Sequence, residues 1–309
     1  MSTGILLMTY GSATTSDGVR SYLESVYAGR AVPEDLIHEF ERRYDVVGRS
    51  PLVDITRRQG AALQQQLDAQ DGPARYRVAV GMLHSEPKIQ GAVQGLAAAG
   101  VDSIIAIVLA PQFSPIILAG YQRALDAAST RLEHRVAIHL AGAWYDEPAF
   151  IASLAQRLRT GLDRFGANRH RVPVIFTAHS VPLSVIQKDP GYITQLTDTA
   201  AAVADAVSLP RSRWQFAYQS AGHSPEPWLT PDLLDVLPVL KKAGHTDALI
   251  APLQFCADHL EVLYDLDVAA REQAEAAGIA YHRMEMPNVS PAFIAALADV
   301  VARESAPVG

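Results

Sequence analysis

Val174-Ile175-Phe176-Thr177-Ala178-His179-Ser180 decides the fold, because its pattern occurs twice in the chain. The earlier copy is Leu6-Leu7-Met8-Thr9-Tyr10-Gly11-Ser12, again an apolar run that ends in a polar, tight segment. Three further correspondences follow in the same order. The stretch from Val78 to Pro87 answers to that from Phe216 to Pro227, Ile107–Phe113 answers to Leu249–Phe255, and Pro148–Ile151 answers to Pro291–Ile294. Two similar halves with polar residues at matching strand ends predict one cleft between them, with chemistry where the copies differ.

Short apolar runs rich in β-branched residues and bounded by Gly, Pro, Asp or Ser read as strands. They fall at 4–9, 76–82, 103–109 and 136–142, then at 172–178, 214–219, 247–252 and 278–283. Helical patterns lie between them at 15–28, 33–46, 53–69, 87–99, 116–132, 148–165, 192–207, 231–243, 259–276 and 291–304. Strands alternating with helices predict an α/β protein built on parallel sheets covered on both faces. The polar stretch Gly166-Ala167-Asn168-Arg169 divides it into halves 1–165 and 166–309. The copies are out of register, so the first half carries about 25 extra residues between its first two strands. That surplus holds Arg30, Arg42, Arg43, Tyr44, Arg49, Ser50, Arg57 and Arg58. An Arg-rich insertion beyond a strand's carboxyl end is placed to wall a ligand site, and equally could be a solvated helix pair.

Composition narrows the class. The chain has 309 residues, 49% of them apolar and 19% charged, which is ordinary for a globular protein of one or two domains. A net charge of −7 argues against a nucleic-acid partner held by counterion release. Cys256 is the single cysteine, so neither an intrachain disulfide nor an all-cysteine iron–sulfur cluster can form. Met1-Ser2-Thr3-Gly4 leads into a strand with no basic leader, and no apolar run approaches membrane-spanning length, so a soluble cytoplasmic protein is expected.

Ligands of doubly wound sheets bind outside the carboxyl ends of the strands. Those ends present Tyr10, His84, Gln112 and Phe113 in the first half. The second half presents His179, Ser220, His223 and the segment from Cys256 to Glu261. A histidine directly after a strand suits a metal ligand or proton acceptor, and equally a loop histidine bonded to backbone. If Asp258 opens a helix, Asp258, Glu261 and Asp265 share one face. That file either complements the helix dipole or guides a cation toward a histidine. Trp214 and Trp228, with Pro225, Pro227 and Pro231, surround His223, which fits either a rigid loop against a flat apolar ligand or ordinary core packing. Phosphate-loop, nucleophile-elbow, HxxxH and CxxC patterns are absent from the sequence.

Thr177-Ala178-His179-Ser180-Val181-Pro182, the run from Tyr218 to Leu229, and the run from Asp258 to Asp265 closely resemble ferrochelatases. The likeness extends along the chain through Met8-Thr9-Tyr10-Gly11, Arg43-Tyr44, Ser50-Pro51-Leu52, Pro111-Gln112-Phe113, Trp144-Tyr145-Asp146-Glu147-Pro148 and Met286-Pro287-Asn288. The resemblance implies two flavodoxin- or Rossmann-like domains with a porphyrin cleft between them, and insertion of Fe(II) into a porphyrin with release of two protons. It places the metal-binding and catalytic roles on His179 and Glu261. Tyr10 falls where the family has a tyrosine opposite that histidine, axial to the product iron. Arg43, Tyr44, Ser50 and Tyr121 match substrate contacts, and Arg30 could replace an arginine that is Tyr27 here. His223 stands where Arg or Asn is common, and Ala269 where a glutamate is often found.

With one cysteine and this length, the chain resembles the soluble, usually monomeric coproporphyrin III ferrochelatases of Gram-positive bacteria. The resemblance implies no cofactor, with Fe(II) a substrate and no iron–sulfur cluster. It also implies no nucleic acid and no stable membrane association. Rival readings are the same reaction on protoporphyrin IX, insertion of another divalent metal, and a non-catalytic porphyrin or haem carrier.

Overall fold

The computed structural model describes residues 2–222 and 226–306. The first sheet holds β1 (Thr3–Thr9), β2 (Tyr76–Met82), β3 (Ser103–Val108) and β4 (Ala137–Leu140) in the order β2-β1-β3-β4. The second holds β5 (Val174–His179), β6 (Trp214–Gln219), β7 (Asp247–Pro252) and β8 (Ala280–Arg283) in the order β6-β5-β7-β8. Every pairing is parallel, so the repeat seen in the sequence is a repeat of topology. Each central strand is buried along nearly its whole length, as strands covered on both faces must be.

The helices are α1 (Val19–Tyr27), α2 (Glu34–Val47), α3 (Leu52–Asp71), α4 (Ile89–Ala98), α5 (Pro115–Ser129) and α6 (Pro148–Asp163). After β5 come α7 (Leu183–Lys188), α8 (Gly191–Ala206), α9 (Leu233–Lys242), α10 (Arg271–Ala276) and α11 (Pro291–Ser305). Two elements depart from the sequence reading. Residues 183–188 form a short helix between Pro182 and Pro190, too brief for a periodic signal. The predicted helix 259–276 is a π-helix over Val262–Ala270 that continues as α10. The first half runs three helices, α1–α3, between its first two strands where the second half runs only α7 and α8, and α2 packs on that π-helix, so its arginines reach the other half.

The two sheets fall on either side of residue 165, but the packing interleaves. α6 lies against α8, β7 and α11, and α11 returns to α3. One apolar cluster therefore contains Ile5 and Leu7 of β1 together with Phe176 of β5 and Leu249 of β7. The repeated Pro-Ala-Phe-Ile motifs meet inside it, with the Phe150 and Phe293 rings 6.3 Å apart and both fully buried. Burial of each ring is worth about 1.5–3 kcal/mol, so the copies fasten one another across the molecule. Trp214 packs on Phe176 with ring centroids 5.4 Å apart, so the core-packing reading holds for it. His223 lies outside the described residues.

Candidate active site

Tyr10 follows β1 and His179 ends β5, at matched strand ends. Both line one cleft of about 460 Å³ between the halves, walled by Leu109, Ile117, Val181 and Phe255 and reached by Tyr44, Gln254, His259 and Glu261. An apolar slot with a few convergent polar tips is the form small-molecule sites take. Tyr10 is 44% exposed, and its ring lies on His84 at 4.5 Å between centroids. The chain turns sharply after it: Gly11 has φ +88°, and a Cβ there would lie 2.2 Å from Ser85 Oγ. Only glycine fits that turn.

His179 is fixed at two points, one of them braced from behind. Its backbone N–H donates to Gln254 Oε1 at 2.8 Å, the amide of Gln254 is itself held by Tyr192 Oη, and Nδ1 lies against the Ser180 carbonyl. A carbonyl only accepts, so Nδ1 carries a proton, and Nε2 is the ring nitrogen turned toward Glu261. Glu261 Oε2 lies 3.6 Å from that Nε2. His259 repeats the arrangement, with Nδ1 3.0 Å from the Ala257 carbonyl and Nε2 3.7 Å from the same Glu261 oxygen. Two imidazole nitrogens and one carboxylate oxygen thus converge: protonated, either imidazole can donate to Glu261, and deprotonated, each presents a lone pair. Among the described residues no group of three or more His, Cys, Asp or Glu side chains is arranged to hold a metal ion.

The electrostatics agree. Burial pushes the Glu261 carboxyl up, but His179, His259 and Arg43 outweigh it and hold the group at about 2. Burial pulls the His259 imidazole down, and Glu261 more than restores it, leaving it above its ordinary value. Tyr10 is raised by burial and then by the charge of Glu261, which therefore acts across the cleft.

A second cavity of about 360 Å³ opens on the other side of the His179–Glu261 pair, lined also by Arg43, Gln219, Ser220, Asp232, Asp265 and Ala269. Asp265 accepts from Ser220 Oγ and pairs with Arg43 at 3.3 Å, and burial raises its pKa despite both. The predicted acidic file is only partly present. A π-helix closes its hydrogen bonds five residues on, so Glu261, Asp265 and Ala269 share the cavity face. Asp258 lies before the helix and is tied elsewhere: its N–H donates to Asn288 Oδ1 at 2.9 Å, and it pairs with Arg283 at 3.1 Å.

The other expected contacts separate. Tyr44 lines the cleft and donates to the Ala13 carbonyl at 2.7 Å, with its hydroxyl pushed up to about 12 by burial. Ser50 lies behind it, 2.9 Å from Ser12 Oγ. Arg43 faces the second cavity, held by Glu39 at 2.9 Å as well as by Asp265. Arg30 is exposed and folds back on Tyr27. Tyr121 is buried in the core of the first half, at 5% exposure.

Sequence reasoning missed the residues that hold the site in place. Gln59 of α3, fully buried, donates Nε2 to the carbonyls of Cys256 at 3.1 Å and Asn288 at 2.9 Å. Asn288, with φ 47°, also donates Nδ2 to Asp258 Oδ2 at 2.7 Å. The segment 256–258 leading to Glu261 is thereby bolted to the first half. Partners about 200 residues apart in the chain leave no local signal.

Two parallel-sheet halves close one cleft over an imidazole–carboxylate pair, a two-lobed α/β architecture. The solved structure of SirB from Bacillus subtilis with Fe3+ shares the fold, with TM-score 0.60 at 13% identity over 99% of this chain and 96% of that one. CbiX, described as the terminal enzyme for biosynthesis of siroheme in denitrifying bacteria, matches with TM-score 0.56 at 12% identity, covering 99% of this chain and all of that one. The family model described as Ferrochelatase matches residues 2–305, and the chain belongs to that family. It is 37% identical to the coproporphyrin III ferrochelatase of Geobacillus kaustophilus over 99% of this chain and 97% of that protein. It is 36% identical to the ferrochelatase of Deinococcus radiodurans over 99% of this chain and 96% of that protein.

Proposed function

We propose that this ferrochelatase inserts Fe(II) into coproporphyrin III, giving Fe-coproporphyrin in haem biosynthesis, and that it works as a soluble cytoplasmic monomer without a cofactor. The observation that carries the reading is His179 Nε2 beside the Glu261 carboxylate, lining the same cleft as Tyr10. Two pyrrole protons leave as the metal enters, so the site must offer both a donor set for Fe(II) and a base. Glu261, held at about 2, stays ionised and balances the charge of the metal. His259, raised above its ordinary value by Glu261, is a better proton acceptor than the Glu261 carboxylate. Tyr10 closes the opposite face, where a phenol oxygen can approach the product iron.

Substrate choice is supported by the relatives named coproporphyrin III ferrochelatases at 33–37% identity over nearly the whole chain. Of the propionate contacts, Tyr44 lines the cleft, and Arg43 is close enough to lower Glu261. Among the described residues no helix is long and apolar enough to cross a membrane. Anaerobic Fe(II) insertion measured side by side on coproporphyrin III and protoporphyrin IX tests the reading. Faster turnover of coproporphyrin is expected. Equal or faster turnover of protoporphyrin overturns the substrate assignment, and turnover of neither favours a carrier.

A further inference from the structure

The two copies of the sequence repeat share a Gln-Phe pair, Gln112-Phe113 after β3 and Gln254-Phe255 after β7. Both glutamines are tied to one helix, α8 of the second half. Gln254 donates its amide to Tyr192 Oη, and the buried Gln112 donates Nε2 to Thr199 Oγ1 at 3.3 Å. Gln195 lies between those anchors, since positions 192, 195 and 199 share one helix face. Its Oε1 accepts the Phe113 N–H at 2.6 Å, and its Nε2 donates to the Phe113 carbonyl at 3.0 Å. A primary amide offers the donor and acceptor of a peptide unit. Gln195 therefore pairs with Phe113 as a neighbouring strand would, but across the two halves.

The clamp holds one wall of the cleft. Phe113 leads through Ser114 into α5, whose first turn carries Ile117. Ile117 lines the cleft and packs on the core of the first half. It also packs on the second-half cluster of Ala178, Tyr192, Leu196 and Tyr218, in which Ala178 immediately precedes His179. Apolar contact of this kind is non-directional and sets no fixed spacing. The paired bonds to Phe113 do set one, and with it how far the Ile117 wall stands from the side that bears His179.

On the porphyrin reading of that cleft, we propose that Gln195 is a positioning residue for the substrate, acting through Phe113 and Ile117 to hold the cleft at the width a flat macrocycle fills. Without the clamp, the start of α5 is free to stand away from α8, and the porphyrin must draw it back at the expense of affinity. The brace on His179 runs through Gln254 and Tyr192 and does not pass through Phe113. Loss of the clamp therefore weakens binding and leaves the chemistry of the seated substrate intact.

Metal-free porphyrin binding, measured by fluorescence quenching, and anaerobic Fe(II) insertion separate the two effects, with coproporphyrin III and protoporphyrin IX each as probe. Gln195→Met keeps the length of the side chain and removes both bonds. It should raise the dissociation constant and KM of the better-bound porphyrin about fivefold, with kcat within about twofold of the parent. Ile117→Ala should also weaken binding. The double variant Gln195→Met/Ile117→Ala should then weaken it by less than the product of the single effects, because one residue acts through the other. Should Gln195→Met fail to fold, Gln195→Glu, which keeps only the acceptor for the Phe113 N–H, must still raise the dissociation constant. Unchanged affinity in the folded variants, a kcat that falls as far as affinity does, or single effects that simply multiply overturns the proposal. A parent chain that binds neither porphyrin overturns it together with the functional reading, an outcome distinct from failure of the clamp alone.

Discussion

Gln59 reaches from α3 into the other half, where its amide nitrogen holds the carbonyls of Cys256 and Asn288 at 3.1 and 2.9 Å. In Gln59→Leu the Asn288 carbonyl loses that donor, while the Cys256 carbonyl keeps the Asn288 N–H at 3.0 Å. An orphaned buried acceptor costs about 1–3 kcal/mol. Removing Gln59 Oε1, which is buried without a partner, offsets about 1 kcal/mol of that cost. A net loss of roughly 0–2 kcal/mol should lower Tm by no more than about 3 °C in a chain of this size. The larger effect falls on rate. The segment 256–258 leads into Glu261, and misplacing a reacting group by about 1 Å can cost up to about 100-fold. Anaerobic Fe(II) insertion, followed by loss of porphyrin fluorescence, should show kcat lowered at least about tenfold on the same reasoning. The porphyrin dissociation constant, measured by fluorescence quenching, should stay within twofold. An unchanged kcat would show that Glu261 is positioned without help from α3 and would refute the reasoning.

Other outcomes follow from the same geometry. Glu261 is held at about 2, below its unfolded value, so its stabilising contribution is present above about pH 4.5 and is lost as pH falls through about 2. Acid unfolding of Glu261→Gln should therefore depend less on pH across that window than that of the parent chain, and equal slopes would contradict the assignment. In the metal-free protein, NMR should find the His259 imidazole titrating above its ordinary value because of Glu261, and His84 below it because of burial. The reverse order would place the charges wrongly. Tyr44→Phe removes the bond to the Ala13 carbonyl and should cost about 1–3 kcal/mol of unfolding free energy, measured by urea denaturation.

The doubled α/β architecture was legible because burial on both faces forces continuous apolar strands, and each strand end is marked by a polar break. His179 and the segment bearing Glu261 were legible as candidates for the same reason, since strand ends in this fold face the cleft, but their pairing came only from the resemblance to ferrochelatases. The π-helix was not, since Val262–Ala270 has the composition of an α-helix and its widening depends on what packs against it, notably α2. His259 was visible only as one member of an acidic segment, because its role depends on the ring facing Glu261 beside Phe255, 4.5 Å away between ring centroids. Tyr121 and Arg30 show the opposite limit. Their residue types suit substrate acids, but one side chain is packed in the core and the other is folded onto its own turn.

The central claim is that the His179 Nε2 lone pair, with Glu261, receives the metal. Insertion by His179→Ala, assayed anaerobically with Fe(II) and coproporphyrin III alongside porphyrin binding, tests it most directly. Iron insertion should be abolished while porphyrin binds with near-parental affinity. Insertion at near the parental rate in that variant would contradict the account.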